Sequence, residues 1–522
     1  MRYFVSFLIN IVCGVASAHA GSGFAGLERG PYGVGSRVIQ AYDHSRSFRG
    51  RIDLISGASD EGERARPMQM LLWYPARTTG KPLTYQDYMR TEATDEVFDQ
   101  PAERITALMR HRWRNASASV GTAQARRLFD QPMWAERDAA ALPGKFPVLV
   151  YAPGVGGAAH ESADMFEYLA SHGYIVLASR SMGTFTREMN TDQEGIDTQV
   201  RDLQFLISHA HTLSQADTAH IAAIGWSWGG MANVFAAARD SRITALVSLD
   251  GTRDPEFTRT IPRARVALPW LYISRRTDTI SDLNRQGIDT SFSLLNELKH
   301  ADIYEVIMTP MKHADFSSSA LRFAETRHFD EYSRAEVETA YRWVSRYVLE
   351  FLNGHLKQSA SGIAFLQAAP KMHGAPAHTI RIRHTPAEAA PASRPAFAAA
   401  LADRGFDHAP AIYRKMVERD PSFRLSERDI NLWGYQLLLR ENRPRDAISM
   451  FKFGLDLNGD SANLFDSLGE AYEANREPEL AIRSYRRSLE LNPRNSHAVS
   501  RLGVLAPDTA AGTAAGTGLP GH

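Results

Sequence analysis

Short apolar runs alternate with longer amphipathic stretches between residues 147 and 355, and this alternation constrains the fold more than any other feature of the chain. Runs that are apolar along their whole length, without a period of two, are typical of strands buried on both faces of a parallel sheet. We therefore predict a doubly wound, mostly parallel α/β unit. The six predicted strands are PVLVYA (147–152), YIVLAS (174–179), HIAAIG (220–225), ALVSLD (245–250), WLYIS (270–274) and IYEVIM (303–308).

This unit is predicted to cover residues 21–356. Two early strands, GPYGVGSRVIQAY and MQMLLWYPA, open it, and residues 83–142 form a polar, mostly helical insertion that includes the segment TAQARRLFDQPMW. A helical pattern over 281–300 and the long helix AEVETAYRWVSRYVLEFLNG complete the unit. Residues 357–400 are rich in Ala and Pro and are predicted to be a linker.

The N-terminal segment MRYFVSFLINIVCGVASAHA has the pattern of a signal peptide over residues 1–20. Its apolar run is shorter than the roughly 20 residues that span a membrane, and no later segment is long and apolar enough. We therefore expect an exported protein, periplasmic or secreted. The single cysteine, Cys13, lies in this leader, so the mature chain would have neither disulfides nor thiolate chemistry.

The charge balance argues against a nucleic-acid partner. Lys plus Arg and Asp plus Glu both number 59, and no basic stripe is interleaved with aromatic residues. The hydrophobic content of 44% is that of a soluble globular protein.

A repeat of 34 residues occupies residues 401–505, followed by a tail (506–522) that we expect to be disordered. It resembles the tetratricopeptide repeat, which implies a protein partner or self-association. The first copy lacks the signature Gly and closing Pro, and a generic pair of helical hairpins is the alternative. The pairs that are 34 residues apart are Ala447 and Ala481, Phe451 and Tyr485, Leu455 and Leu489, and Asn458 and Asn492.

The segment GWSWGG lies between the predicted strand HIAAIG and the predicted helix MANVFAAARD. A serine on a sharp strand-to-helix turn, flanked by glycines that let the two elements approach, is the nucleophile elbow G-x-S-x-G. The alternative is a structural turn. We predict that Ser227 is a nucleophile.

A nucleophilic serine needs a base, and the base needs an acid that orients it. His313 follows the last predicted strand and can fold back over its carboxyl end, whereas His300 precedes that strand and His328 lies well beyond it. Two acids follow neighbouring strands, Asp250 and Asp278, and either could reach His313.

An oxyanion hole requires two backbone N–H groups that face the developing charge. The Trp228 amide directly follows the predicted nucleophile. The glycine-rich loop PGVGG after the strand PVLVYA would supply the second donor, for which we predict the Val155 amide. No metal or organic cofactor is required by this chemistry.

Residues 30–355 resemble the α/β-hydrolase superfamily, and most closely its branch of platelet-activating-factor acetylhydrolases and dienelactone-hydrolase-like enzymes. The resemblance is carried by GPYGVG, LLWYPA, FPVLVYAPGVGG, LASHGYIVLASRSMG, GWSWGGMANVFAAARD, LVSLDG and KHADF. In the acetylhydrolases the acid lies 23 residues after the serine, which favours Asp250 over Asp278. The chain departs from the family at Pro153, where a histidine is usual, and this substitution should spare the backbone donor of the loop.

The sequence thus predicts an exported serine esterase that acts on a small-molecule or lipid-like ester. The alternatives are a serine peptidase, because GWSWGG resembles the elbow of prolyl-oligopeptidase-type enzymes, and a non-catalytic scaffold that works through its repeats. The peptidases carry a large β-propeller before the catalytic domain, and the residues before 147 contain no repeat of blade length.

Overall fold

The structure of the protein is a computed structural model that describes residues 23–50, 57, 62–251, 255–276, 293–388 and 392–507. The predicted leader, Cys13 and most of the predicted tail lie outside these residues. The chain divides into two compact units, residues 1–388 and 389–522. In the described part of the chain, no helix is long and apolar enough to cross a membrane.

One mixed sheet organises the first unit. Its strands are β1 (Gly33–Ser47), β2 (Ala65–Arg77), β3 (Pro82–Thr84), β4 (Pro132–Arg137), β5 (Ala140–Ala141), β6 (Phe146–Ala152), β7 (Ile175–Ser179), β8 (Ala216–Trp226), β9 (Ile243–Leu249), β10 (Trp270–Arg275), β11 (Ile303–Met308) and β12 (Ile380–Thr385). They lie in the order β12-β11-β10-β9-β8-β6-β7-β2-β1-β4-β3, with β5 paired to β2. The six strands β6 to β11 are parallel to one another.

Helices cover both faces of this sheet, as the buried central strands require. Alternate residues of β6 belong to two separate cores: Leu149 and Tyr151 to one, Val148 and Val150 to the other. The helices of the unit are Tyr85–Thr91, Ala102–Val120, Thr122–Phe129, Ala163–Ser171, Gln193–Ala210, Trp228–Arg239, Pro255–Thr258, Leu294–Glu297, Ser318–Arg322, Arg334–Leu356 and Ala360–Gln367. The six strands predicted between residues 147 and 308 all form, and the mixed sheet with its helices fits an α/β-hydrolase fold. Of the helix predicted over 281–300, the described part contains only Leu294–Glu297.

The insertion over residues 83–142 contains strands as well as the predicted helices. The helix predicted through TAQARRLFDQPMW ends at Phe129, and Pro132 begins β4, which pairs in parallel with β1. A proline cannot continue a helix, and Met133 and Ala135 alternate with less buried neighbours, as in a strand with one covered face.

The prediction of a linker over residues 357–400 was wrong. This range contains the helix Ala360–Gln367 and β12, which pairs antiparallel with β11 and closes that edge of the sheet. Ile380 and Ile382 alternate with exposed Arg381 and Arg383, a pattern that protects an edge strand from pairing with another chain. The surrounding Ala and Pro residues hide this short alternation in the sequence.

The second unit contains two structurally equivalent helix pairs. The helices Pro444–Leu457 and Pro478–Leu491 begin 34 residues apart, each with a proline in the first helical position. Its other helices are Arg394–Arg404, Ala409–Arg419, Glu427–Tyr435, Ala462–Ala474 and Ser496–Leu505.

The first copy has a glycine in the equivalent place, Gly434, although the fixed 34-residue spacing predicts none there. Gly434 packs against the Phe451 ring as Gly469 packs against the Tyr485 ring, so closely that a Cβ on either glycine would overlap the ring. The two glycines are 35 residues apart, whereas the two rings are 34 apart. A π-helical turn, Gln436–Arg440, takes up the additional residue of the first copy.

A buried ion pair ties the segment after β11 to the helix Ala163–Ser171. The Arg322 guanidinium contacts the Asp164 carboxylate at 2.6 Å, and both side chains are buried, with exposures of 0% and 5%. The guanidinium also lies over the rings of Phe24 and Tyr85, at 4.5 Å and 4.2 Å. Removal of the arginine would leave the buried carboxylate without its partner.

We expect Arg322→Met to lower the free energy of unfolding by about 3–5 kcal/mol, the cost of breaking a buried ion pair from one side. Urea titration followed by tryptophan fluorescence measures this, because seven of the eight tryptophans lie in the first unit. The control, Arg327→Met, removes an exposed pair with Glu325 and should cost less than about 1 kcal/mol. Equal effects of the two substitutions would contradict the prediction.

Candidate active site

Ser227 lies between the end of β8 at Trp226 and the first residue of the helix Trp228–Arg239. Its backbone has φ 56° and ψ −121°, a conformation that a non-glycine residue rarely adopts. Strain of this kind costs about 1–3 kcal/mol and is concentrated at functional sites. The backbone is held by the Ser227 N–H, which donates to the Leu249 carbonyl at 3.1 Å.

The glycines around Ser227 allow the strand and the helix to touch through their backbones. A Cβ on Gly225 would overlap the backbone of Gly229, and a Cβ on Gly229 would overlap the carbonyl oxygen of Ala152 at the end of β6. Any side chain at these positions would push the helix away from the sheet. The pattern GWSWGG is therefore a packing requirement as well as a motif.

His313 opens a 3-10 turn, His313–Phe316, that follows β11. Its Nε2 lies 2.8 Å from Ser227 Oγ, and its Nδ1 lies 2.6 Å from Asp250 Oδ2. The Trp226 Nε1–H donates to the His313 carbonyl at 3.1 Å, and the two rings lie 5.3 Å apart. The imidazole is thus in contact with both predicted partners and is held from a third side.

Asp250 follows β9 and also has a positive φ, 44°. Its carboxylate is buried, and the Arg275 amide donates to Oδ1 at 3.1 Å. The Arg275 guanidinium lies 3.3 Å from Oδ2, on the same oxygen that contacts His313. The competing acid, Asp278, lies outside the described residues.

The loop Pro153–Gly157 follows β6 and lies against Ser227. A Cβ on Gly154 would sit 3.0 Å from the Trp226 ring and 3.5 Å from Ser227 Cβ. Within the loop, the Gly157 amide donates to the Gly154 carbonyl at 2.9 Å. Trp228 is the first residue of its helix, so its amide has no acceptor within that helix. The loop that contains Val155 and the Trp228 amide therefore flank the serine.

These residues meet because their strands are parallel neighbours. β6 has β7 on one side and β8 on the other, so the chain changes its winding direction at β6. Ligand sites of doubly wound sheets lie at such a switch point, beyond the carboxyl ends of the strands. Ser227, Asp250 and the loop of Val155 follow β8, β9 and β6 at this edge.

The other histidines considered lie elsewhere. His328 Nε2 contacts Asp315 Oδ1 at 2.5 Å, and Asp315 in turn accepts the Lys312 amide at 2.7 Å. This pair stabilises the turn that carries His313. His300 precedes the amino end of β11, and its Nδ1 lies 3.3 Å from the Glu388 carbonyl.

Sequence reasoning missed three side chains around the site: Arg275, Glu161 and Arg180. Arg275 ends β10 and Arg180 directly follows β7, so their position at the carboxyl edge of the sheet was the available signal. Glu161 carried no comparable signal, because it lies in a turn before the helix Ala163–Ser171. Burial raises the pKa of Glu161 to about 8.

Among the residues that the structure describes, one group has a geometry compatible with a metal ion, and it lies in the second unit. It consists of Asp466, Glu470 and His497. Its atoms already have partners: His497 Nδ1 lies 2.9 Å from Asp466 Oδ2, and the Tyr435 hydroxyl donates to Glu470 at 2.7 Å. These hydrogen bonds account for the arrangement without a ligand.

Comparison with known proteins finds a match to the family model of the α/β hydrolase fold over residues 147–296. No curated protein sequence matches the chain. Among solved structures, a ferulic acid esterase from Streptomyces cinnamoneus aligns with a TM-score of 0.46 and 18% identity, over 67% of this chain and 96% of that one. The matched residues run from β6 past β10 and include Ser227 and Asp250. Over this region the chain is similar to the α/β-hydrolase superfamily, and its first unit has a sheet that fits the α/β-hydrolase fold.

Proposed function

We propose that the protein is a serine hydrolase that cleaves carboxylic esters through Ser227, His313 and Asp250. The observation that carries the proposal is the continuous contact from Ser227 Oγ through the imidazole of His313 to the buried carboxylate of Asp250. A serine, a histidine and an acid in this order and geometry form the constellation that activates a hydroxyl group for acyl transfer.

In the first half of the reaction, Ser227 Oγ attacks the carbonyl carbon of the ester while His313 Nε2 takes the hydroxyl proton. Asp250 accepts a hydrogen bond from Nδ1–H, which fixes the tautomer and stabilises the imidazolium that forms. The negative charge then develops on the former carbonyl oxygen. The amides of Val155 and Trp228 are the proposed donors to that oxygen.

In the second half, the tetrahedral intermediate collapses to an acyl-serine, and the leaving alkoxide takes the proton from His313 Nε2–H. Water then attacks the acyl carbonyl while the same nitrogen accepts a proton from it. A second tetrahedral intermediate releases the carboxylic acid and returns the proton to Ser227 Oγ. Every proton step passes through His313.

The type of esterase, its export and the role of the second unit are proposed from the sequence. The quoted motifs and the 23-residue spacing from Ser227 to Asp250 favour an acetylhydrolase-like enzyme with a small or lipid-like ester substrate. The pattern of residues 1–20 favours export. The 34-residue period favours tetratricopeptide-like repeats in the second unit and, with them, a protein partner or self-association.

We predict that Ser227→Ala reduces kcat for a p-nitrophenyl ester by at least about 10⁴-fold, because the nucleophile is lost. Labelling by a fluorophosphonate probe should disappear together with the activity. Circular dichroism should be unchanged, since alanine relieves none of the backbone contacts that hold the corner.

The matched control for this variant is Ser319→Ala, which removes a hydroxyl from the segment after His313 without touching the imidazole. It should label and hydrolyse as the wild type does. Full activity in Ser227→Ala would refute the proposal. Faster hydrolysis of peptide amides than of esters by the wild type would favour the peptidase alternative instead.

We expect Asp250→Asn to lower kcat by about 10³–10⁴-fold, because the amide no longer holds the imidazole in the required tautomer. Asp278→Asn should leave kcat within about threefold of the wild type. Steady-state kinetics on the two variants side by side measure this. The reverse order of effects would assign the acid to Asp278.

A further inference from the structure

Side chains and backbone from three other segments hold the loop Pro153–Gly157. Four hydrogen bonds to residues outside the loop fix the orientation of its peptide groups. Gln199 Nε2 donates to Pro153 O (2.7 Å), Gly154 N donates to Glu161 Oε1 (3.1 Å), Arg180 Nη2 donates to Gly156 O (2.8 Å) and Ser181 N donates to Gly157 O (3.0 Å). Within the described residues, the Val155 amide donates to no acceptor.

Glu161 connects this loop to the segment that carries His313. Its Oε1 accepts both the Gly154 amide and the Tyr151 hydroxyl, at 3.1 Å and 2.7 Å. Its backbone carbonyl accepts the Ser317 hydroxyl and the Ser319 amide, both at 2.9 Å. The side chain is buried, so water does not compete for these hydrogen bonds.

Arg180 connects the same loop to the insertion over residues 83–142. One arm of its guanidinium donates to the Gly156 carbonyl. The other arm faces two buried carboxylates of the insertion, Glu92 at 3.5 Å and Asp95 at 3.4 Å. The arginine is thereby held between the insertion and the loop, which fixes the direction of its donor.

We propose that Glu161 and Arg180 are positioning residues that hold the loop Pro153–Gly157 with the Val155 amide directed at the reacting carbonyl oxygen. This inference rests on the proposed function. A segment with three glycines has wide conformational freedom, and an oxyanion donor contributes only when its position is fixed before the reaction. A misplacement of about 1 Å can cost about 100-fold in rate.

The protonation state of Glu161 gives this arrangement a dependence on pH. Burial raises the pKa of Glu161 to about 8, so the carboxyl group is neutral at pH 7 and becomes anionic as the pH rises through about 8. The titratable and charged groups that face it are Tyr151 from β6 and Arg180 from the end of β7, with Glu92 and Asp95 behind the arginine. An anion beside the loop opposes the charge of the oxyanion, so the rate should fall above about pH 8.

The test compares Glu161→Ala, Glu161→Gln and Arg180→Lys with the wild type in the full chain. At pH 7 we expect Glu161→Ala to lower kcat for a p-nitrophenyl ester by about 10- to 100-fold, with KM within about threefold. Glutamine keeps the Oε1 acceptor, so Glu161→Gln should retain kcat within about threefold and should lose the fall in rate above pH 8. Arg180→Lys keeps the charge beside Glu92 and Asp95 but loses the fixed donor, and it should lower kcat by about tenfold.

The matched control is Glu167→Ala, on the helix that follows Glu161. Glu167 is also buried, and burial raises its pKa to about 7, but its partners are Tyr88 and the Trp134 amide, not the loop. This variant should lose stability without a change in kcat below its melting temperature. Fluorophosphonate labelling and thermal unfolding are recorded for every variant, so that a loss of fold is separated from a loss of rate.

Wild-type kcat in both Glu161→Ala and Arg180→Lys would overturn the proposal, as would a fall in kcat of equal size in Glu167→Ala. An unchanged decline above pH 8 in Glu161→Gln would remove the role given to the ionisation of Glu161. A folded wild type that neither labels nor hydrolyses esters would refute the proposed function itself, an outcome distinct from these.

Discussion

Direct contact between the backbones of two strands and a helix, at glycine positions, sets the geometry of the carboxyl edge of the sheet. The helix after β8 approaches so closely that Gly229 touches the end of β6 and Gly225 touches Gly229. At the corner between the two elements, Ser227 has a strained backbone with φ 56°, and its hydroxyl lies 2.8 Å from His313 Nε2. Because the same helix begins at Trp228, one amide is left without an intrahelical acceptor beside that hydroxyl. The close packing at this corner and the position of the free amide beside Ser227 therefore have a single cause.

The parallel sheet explains how residues distant in sequence meet at that corner. Its central strands all end at one edge, and the residues that follow them need only short turns to come into contact. His313 and Asp250 are 63 residues apart along the chain and 2.6 Å apart in space. Arg275 adds a cation behind the acid, while Glu161 and Arg180 add support behind the loop of Val155. Asp250 and the loop of Val155 are thus held by buried polar contacts, which the low dielectric of the interior strengthens.

The sequence was sufficient for the features that depend on local pattern. Long apolar runs located the central strands, and glycine spacing located Ser227, because each reflects a constraint on a few neighbouring residues. The strands β4 and β12 were missed because their alternation is short and lies among residues of helical or linker composition. Glu161 was missed because its role depends on tertiary contacts with Tyr151 and Gly154, which no spacing encodes. Residue chemistry alone left both Asp250 and Asp278 open as the acid, because the contact of Asp250 with His313 is also a tertiary contact.

The π-helical turn of the second unit has a consequence for how such helix pairs can change in length. The first copy is one residue longer than the second between its glycine and its aromatic residue, yet Gly434 meets Phe451 as Gly469 meets Tyr485. The added residue is absorbed as a local bulge within a helix, and the next helix starts in an equivalent place. A single-residue insertion at this point therefore leaves the packing of the helices that follow unchanged. Copies can diverge in length independently, and a search for a strictly fixed period will overlook the equivalence of positions that the packing preserves.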